Sequence, residues 1–303
     1  MEFEFHTLDV FTAEPLGGNP LAVVLGAGGL DDQRMQQVAR EFNLSETVFV
    51  GSEQQPLGDM IPVRIFTPRN ELPFAGHPVI GTAVLLAELR HKDACPFETK
   101  LTLATKAGPV PLTVTRIGGA ARAQLTAPRL AVSRDVGLAE AAVAAAVGLA
   151  RDQIGCRGHR PRVLEGTASI LAIPVKDSPA LARAAVEDAA WQPLRKATGS
   201  IGVYAYTALE APNAWRVRFF APDEGIAEDP ATGFAAVAFP AQVLAFDKPA
   251  DGTLSLALEQ GIEMGRPSFI AVEVDVRSGA QSAVRVGGQA VRVTSGLMRL
   301  QSG

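Results

Sequence analysis

Two stretches of sixteen residues, Leu72 to Ala87 and Ala231 to Phe246, contain no Asp, Glu, Lys or Arg. Both consist mainly of Ala, Val, Leu and Phe, and both start at turns that contain Gly and Pro. A helix without a polar face is buried on all sides, so the pattern predicts two buried helices. Neither stretch reaches the roughly 18–20 residues that a helix needs to cross a bilayer.

The residues before the two predicted helices repeat. Val63-Arg64-Ile65-Phe66-Thr67-Pro68 precedes the first helix, and Val217-Arg218-Phe219-Phe220-Ala221-Pro222 precedes the second. At a constant offset of 154 residues, the Val, the Arg, one Phe and the Pro are identical. A strand-like run followed by a buried helix in both copies indicates an internal duplication. We therefore predict two similar halves, each with a sheet wrapped around one central helix.

Strand patterns dominate the rest of the chain. Alternating or β-branched runs predict strands at 4–11, 20–25, 47–50, 101–105, 110–115, 121–125, 170–175, 203–209, 254–258, 269–276 and 290–293. Helices are predicted over 31–42, with Asp31 or Asp32 as the N-cap, and over 138–147 and 179–186. This order is too irregular for a series of βαβ units, so the predicted fold class is α+β. Turn residues at 117–120 predict domains at 1–117 and 118–294, with residues 295–303 returning to the first.

Charge and cysteine content exclude several classes of function. The net charge of −4 and the pI near 5.7 leave no basic excess for nucleic acid or a membrane surface. Two cysteines, Cys95 and Cys156, exclude a disulfide scaffold and a multi-thiolate metal site built by this chain alone. The first residues show no signal-peptide pattern, so we expect reduced thiols and a cytoplasmic location.

The sequence motifs do not indicate a bound cofactor or a metal ion, so neither is expected. Gly26-Ala27-Gly28-Gly29 resembles the start of a dinucleotide-binding loop, but the position of the third glycine holds Asp31. A carboxylate there would repel the pyrophosphate that a helix N-terminus attracts. The four histidines show no pair at the spacing i, i+4, which argues against a metal centre.

Three residues are candidates for proton transfer. Glu46 lies at the entrance to an apolar strand, where it is either a solvated turn residue or a general acid/base whose neutral form desolvation favours. His77 lies at the start of the first buried helix, beside Gly76, and is either structural or catalytic. Asp229 precedes Pro230 at the start of the second buried helix, where an ordinary N-cap is the simplest interpretation. If the two halves face each other, both helix starts would serve one cleft for a small carboxylate.

Six motifs in this order resemble the PhzF-like (phenazine-biosynthesis isomerase-like) family, which shares the diaminopimelate-epimerase fold. They are Asp9-Val10-Phe11-Thr12 with Gly18 to Val24, Leu44-Ser45-Glu46-Thr47, Phe74-Ala75-Gly76-His77-Pro78, Glu228-Asp229-Pro230-Ala231-Thr232-Gly233, Gln260-Gly261 with Met264 to Ser268, and Val286-Gly287-Gly288. The resemblance implies two pseudo-symmetric domains, each a curled mixed sheet around a central helix. It also implies an active site between the domains, no cofactor and a homodimer.

The resemblance also implies a role for each matching residue. Glu46 corresponds to the family's general acid/base, which moves a proton between carbons of a cyclic unsaturated amino acid, and His77 and Asp229 correspond to its proton-relay and substrate-binding partners. The substrate-binding residues that the resemblance implies are Ser45, Gly76, Thr232, Gly233 and Phe234. Phe234 departs from the family, which commonly has Ser at this position, so the polar contact of that hydroxyl is lost.

We therefore expect a cofactor-independent isomerase that acts on a small cyclic carboxylate. Two alternatives stay open: an amino-acid epimerase or racemase with Glu46 and Asp229 as opposed bases, and a small-molecule-binding homologue without catalysis, for which Phe234 is the best support. Related two-thiol enzymes have a cysteine at the start of each central helix. Because this chain has Ala75 and Asp229 at those places, the two-thiol mechanism is not expected.

Overall fold

The computed structural model describes residues 1–51, 60–91 and 96–301. The chain divides into two compact units. Unit 1 consists of Met1–Thr126 and Gly287–Gly303, and unit 2 consists of Ala127–Val286. No helix among the described residues is long and apolar enough to cross a membrane.

Unit 1 contains two α-helices within its described residues. Its elements are β1 (Glu2–Val10), β2 (Asn19–Val24), α1 (Asp32–Phe42), β3 (Glu46–Val50), β4 (Met60–Phe66), β5 (Glu71–Leu72), α2 (Gly76–Arg90), β6 (Phe97–Thr105), β7 (Gly108–Arg116) and β8 (Arg122–Thr126). The Asp31 carboxylate accepts a hydrogen bond from the Arg34 amide and caps α1, as predicted from the sequence.

Unit 2 contains four α-helices within its described residues. Its elements are β9 (Val132–Arg134), α3 (Glu140–Ala146), β10 (Arg162–Glu165), β11 (Ser169–Pro174), α4 (Ser178–Arg183), α5 (Asp188–Thr198), β12 (Gly202–Ala208), β13 (Ala214–Ala221), β14 (Ile226–Asp229), α6 (Gly233–Asp247), β15 (Gly252–Gln260) and β16 (Ser268–Arg277). The last strand, β17 (Ala280–Arg299), begins in unit 2, and its second part pairs with β1 in unit 1.

The two units repeat one strand topology. In unit 1, β2 pairs antiparallel with β1 and parallel with β3, β4 pairs antiparallel with β3 and parallel with β6, and β6 pairs antiparallel with β7. In unit 2, β11 pairs antiparallel with β10 and parallel with β12, β13 pairs antiparallel with β12 and parallel with β15, and β15 pairs antiparallel with β16. The same alternation of directions, strand for strand, agrees with the duplication inferred from the offset of 154 residues.

Each unit packs its strands against one buried helix. In α2 every residue from His77 to Ala87 is buried, and α6 buries nine of its residues between Gly233 and Val243. Helix α2 packs against strands of unit 1 that include β1, β2, β7 and β8, and α6 packs against strands of unit 2 that include β9, β10 and β16. The two uncharged stretches of the sequence are therefore the central helices, as predicted, and the fold class is α+β.

Two domain boundaries and one helix differ from those expected. Unit 1 extends to Thr126, not to 117, because Arg122–Thr126 forms a strand that pairs with β7 and the turn at 117–120 is a hairpin within the unit. The chain returns to unit 1 at Gly287, not at 295, since β17 pairs with β1 from Ala290 onward. Helix α5 was not predicted because the preceding segment shows the stronger start signal, Asp177 followed by Pro179.

Candidate active site

Glu46 is the first residue of β3, where the chain enters the sheet of unit 1. Helix α1 ends at Phe42, and the C-cap residue Asn43 adopts a left-handed conformation that redirects the chain toward this strand. Glu46 pairs in register with Leu21 of the neighbouring parallel strand, and its side chain is 14% exposed. The carboxylate therefore lies at an apolar strand entrance and is mostly removed from water. Ser45, immediately before it, is half-buried.

His77 is the second residue of α2, and its ring lies beside the Glu46 carboxylate. Its Nε2 atom lies 3.3 Å from Oε2 of Glu46, and its side chain is 5% exposed. Gly76, half-buried, opens the helix without a side chain beside the ring. Two residues that are 31 positions apart in sequence thus form one buried acid–imidazole pair.

The protonation state of His77 follows from its surroundings. Burial lowers its pKa to about 3, while a hydrogen bond to the backbone of Pro20 acts in the opposite direction. Proline has no amide hydrogen, so the partner atom is the Pro20 carbonyl and a ring N–H must donate to it. Within the described residues Nε2 has no hydrogen-bond partner, so the donor is Nδ1. The ring is neutral at physiological pH, and Nε2 presents a lone pair toward Glu46.

In unit 2, Asp229 and Thr232 form the second polar group. Asp229 ends β14, and the Thr232 hydroxyl donates to its Oδ2 atom over 2.6 Å. The interpretation of Asp229 as an N-cap followed by Pro230 at the first helical position is wrong. Helix α6 begins at Gly233 with Thr232 as its N-cap residue, because Asp229 still pairs with β13.

Gly233 and Phe234 form the first turn of α6. Gly233 is buried, whereas Phe234 is half-exposed and packs edge-to-face against Phe219, with ring centroids 5.5 Å apart. The partly exposed ring of Phe234 therefore stands two residues after Thr232 in the sequence. It occupies the position at which the family resemblance leads one to expect a serine hydroxyl.

The approach to both central helices uses the same ionic anchor. Arg64 donates two hydrogen bonds to Glu71, at 2.8 and 2.7 Å, and Arg218 donates two to Glu228, also at 2.8 and 2.7 Å. Glu71 and Glu228 each stand five residues before the first residue of the helix. The hydrogen bonds from Arg64 hold the pKa of Glu71 below its ordinary value. Each anchor fixes the segment that leads into a candidate group.

Gln260 is the residue at this site to which the sequence analysis gave no role. It is fully buried at the end of β15 and hydrogen-bonds three atoms of the Asp229–Thr232 segment. Its signal in the sequence was its place in the motif Gln260-Gly261, which supported the family resemblance but assigned no role to the side chain.

The structure thus brings Glu46 together with His77, and Asp229 together with Thr232. That all the candidate residues serve one site stays a prediction. Among the described residues, no cluster of three or more His, Cys, Asp or Glu side chains could hold a metal ion. Burial raises the pKa of the Cys156 thiol to about 11, so this thiol is protonated at neutral pH. Cys95 lies outside the described residues.

Comparisons with known proteins agree over nearly the whole chain. The model of the family described as "Phenazine biosynthesis-like protein" matches residues 8–296. An uncharacterized isomerase of Mesorhizobium japonicum is 43% identical, covering 95% of this chain and 96% of that protein. The trans-2,3-dihydro-3-hydroxyanthranilate isomerase of Pseudomonas aeruginosa is 35% identical, covering 96% of this chain and 98% of that protein.

Solved structures show the same fold. A PhzF-family phenazine biosynthesis protein of Bacillus anthracis superposes with a TM-score of 0.87 at 24% identity, covering 99% of this chain and 100% of that chain. A hydroxyproline epimerase of Agrobacterium vitis superposes with a TM-score of 0.64 at 13% identity, covering 98% and 91%. At these identities the likeness concerns the fold alone.

Proposed function

Because the chain belongs to the family of phenazine biosynthesis-like proteins, we propose that it is a cofactor-independent isomerase that moves a proton between two carbons of a small cyclic carboxylate. The observation that carries the proposal is the buried pair of Glu46 and neutral His77, 3.3 Å apart. The curated relatives with isomerase names support the reaction class.

Glu46 acts as the proton carrier in this proposal. Its carboxylate takes the proton from one carbon, and the electron pair left behind delocalises into the unsaturated ring and the substrate carboxylate. The acid then returns the same proton to a second carbon, so no oxidant, reductant or leaving group is needed. A proton transfer of this kind by a positioned side chain contributes roughly 10²–10⁴-fold to the rate.

Neutral His77 supports the carrier in its protonated state. Its Nδ1–H donates to the Pro20 carbonyl, so Nε2 presents only a lone pair to Glu46. Glu46 can donate a hydrogen bond to this lone pair when its carboxyl group is protonated, but not when it is ionised. A charged imidazolium would favour the ionised carboxylate instead and oppose proton uptake. The pair is therefore suited to hold a proton between its removal and its return.

Asp229 is proposed as a second substrate-contacting group of the same reaction, and Ser45, Gly76, Thr232, Gly233 and Phe234 as binding residues. A homodimer remains an expectation from the resemblance, and a cytoplasmic location remains an expectation from the cysteine content and the first residues of the sequence. Sedimentation of the purified chain at micromolar concentration tests the dimer: a mass of one chain contradicts it.

The decisive experiment measures turnover of trans-2,3-dihydro-3-hydroxyanthranilate in D₂O by the wild type, Glu46→Gln and a matched control. Glu4→Gln is the control, because Glu4 is the carboxylate of another Glu–His pair in unit 1, with His6 at 2.9 Å, and is 54% exposed. We expect Glu46→Gln to lower kcat at least about 100-fold and Glu4→Gln to stay within twofold of the wild type. A loss below about tenfold in Glu46→Gln contradicts the assigned role.

The same experiment distinguishes the alternatives. A 1,3-type shift gives a product with its double bond moved. Deuterium incorporation at Cα with inversion of that carbon, tested on trans-4-hydroxy-L-proline, indicates an epimerase. Thermal stabilisation by these compounds without any turnover indicates a binding protein.

A further inference from the structure

Gln260 connects three polar atoms of the segment from Asp229 to Thr232. Its Nε2 donates to the Asp229 carbonyl over 2.8 Å and to the Thr232 hydroxyl oxygen over 2.9 Å, and its Oε1 accepts from the Thr232 amide over 3.0 Å. The side chain is fully buried. One amide group thus satisfies a backbone acceptor, a backbone donor and a hydroxyl within a single turn.

The bond to the hydroxyl determines where the hydroxyl proton points. A threonine hydroxyl has one proton and two acceptor lone pairs. Since Thr232 Oγ1 accepts from Gln260, its proton is left for the acceptor on the other side, Oδ2 of Asp229 at 2.6 Å. This distance is typical of a charge-assisted O–H···O⁻ bond. The direction of donation therefore runs from Gln260 through Thr232 to the Asp229 carboxylate.

The backbone next to Gln260 is adapted to this close approach. Gly261 has φ +72°, and a Cβ atom there would lie 2.4 Å from the Arg266 carbonyl oxygen and 2.7 Å from the Pro230 carbonyl oxygen. Only glycine tolerates both the left-handed conformation and the proximity of the Pro230 backbone. The end of β15 is thereby held against the Asp229–Thr232 segment.

We propose that Gln260 is a positioning residue for Asp229: by fixing the Thr232 hydroxyl, it holds the Asp229 carboxylate in its working orientation. The inference rests on the proposed function, because Asp229 contacts substrate only in that proposal. Gln260 itself, buried behind Thr232, acts through the hydroxyl.

The test compares Gln260→Leu with Gln242→Leu in the full chain. Gln242 is an equally buried glutamine in the same unit, hydrogen-bonded to Tyr206 and Arg160, and it lies in the C-terminal half of α6. With trans-2,3-dihydro-3-hydroxyanthranilate as substrate, we expect Gln260→Leu to lower kcat about tenfold or more with KM within twofold. Gln242→Leu should lose comparable stability but keep kcat within twofold.

Two variants of Thr232 show whether Gln260 acts through the hydroxyl. Thr232→Ser retains the hydroxyl and should have a clearly higher kcat than Thr232→Val. Thr232→Val removes it, and adding Gln260→Leu to Thr232→Val should lower kcat less than twofold further, because the connection is already broken. Independent, multiplying losses in the double variant would overturn the proposal.

A structural measurement separates this inference from the proposed function. In crystals of Gln260→Leu we expect the Thr232 Oγ1 to Asp229 Oδ2 distance to exceed 3.5 Å, and in Gln242→Leu to remain near that of the wild type. If the wild type does not turn over the substrate, the proposed function fails, and this distance still decides the inference. An unchanged distance in Gln260→Leu overturns it. Should Gln260→Leu not fold, Gln260→Glu, which has the same shape but lacks the amide donor, replaces it in both measurements.

Discussion

The neutral state of His77 predicts a specific loss of stability in acid. Burial lowers the pKa of His77 from its ordinary value of 6.5 to about 3. Between these two pH values the unfolded chain binds a proton at this residue and the folded chain does not. Stability therefore falls as the pH decreases through this window. The perturbation is His77→Asn, which keeps an N–H donor for the Pro20 carbonyl and removes the titrating ring.

The size of the effect follows from the two pKa values. Each pH unit within the window changes the free energy of unfolding by about 1.4 kcal/mol per group. Lowering the pH from 7.5 to 5.0 crosses about 1.5 units of the window, so the wild type should lose about 2 kcal/mol more than His77→Asn. His91→Asn, with an exposed ring on Phe97, is the matched control and should behave as the wild type.

The measurement must report on unit 1. Both tryptophans, Trp191 and Trp215, lie in unit 2, so fluorescence follows the wrong unit. Urea unfolding at pH 7.5 and 5.0 should be followed by hydrogen exchange of the α2 amides. NMR of ¹⁵N-histidine-labelled protein should show the His77 proton on Nδ1 and no titration between pH 8 and 5. A titration midpoint at or above 6.5, or equal acid losses in wild type and His77→Asn, would refute the reasoning, because the folded chain would then not keep His77 neutral through this pH window.

Two further variants test the construction of the second helix start. Arg218→Lys should lower the free energy of unfolding of unit 2 by about 3 kcal/mol. Lysine cannot form both the paired hydrogen bonds to Glu228 and the hydrogen bonds that Arg218 donates to three backbone carbonyls. Tryptophan fluorescence during urea unfolding measures the loss. The control is Arg216→Lys, whose half-exposed side chain makes one described hydrogen bond; it should cost less than about 1 kcal/mol, and equal losses would contradict the anchor. Gly261→Ala should prevent folding of unit 2 or lower its free energy of unfolding by more than about 3 kcal/mol. Gly265→Ala has a similar φ of +68° but open space around the added Cβ, and it should cost about 1–2 kcal/mol. Unfolding of both variants, followed by circular dichroism, shows whether the steric clash or the φ angle causes the loss of stability.

The central helices could be predicted from the sequence because a helix of sixteen residues without a charged side chain is stable only when it is buried on all sides. Glu46 and His77 were identified as candidates, but their contact was not, because it depends on the parallel pairing of β2 with β3. Pro20 contributes its backbone carbonyl to His77, and the pattern of side chains along the sequence does not predict a contact to the backbone. The prediction of Asp229 as an N-cap was wrong although Asp-Pro is a common helix start. Asp229 pairs with β13 and so belongs to a strand, and the neighbouring residues in the sequence do not indicate this pairing.

The duplicated halves keep their scaffold and differ in their chemistry. Glu228, Pro230 and Gly233 stand 157 residues after Glu71, Pro73 and Gly76, so the glutamate of the anchor, the proline and the first residue of the helix repeat at one offset.

At the same offset Phe234 corresponds to His77, and Asp229 corresponds to Leu72. The proton-transfer candidates of the two units therefore occupy different positions on the same framework. A racemase with two opposed bases requires two comparable groups, one on each side of a single carbon. One buried acid–imidazole pair in unit 1, with no equivalent at the corresponding helix start of unit 2, instead favours a reaction in which Glu46 both removes and returns the proton.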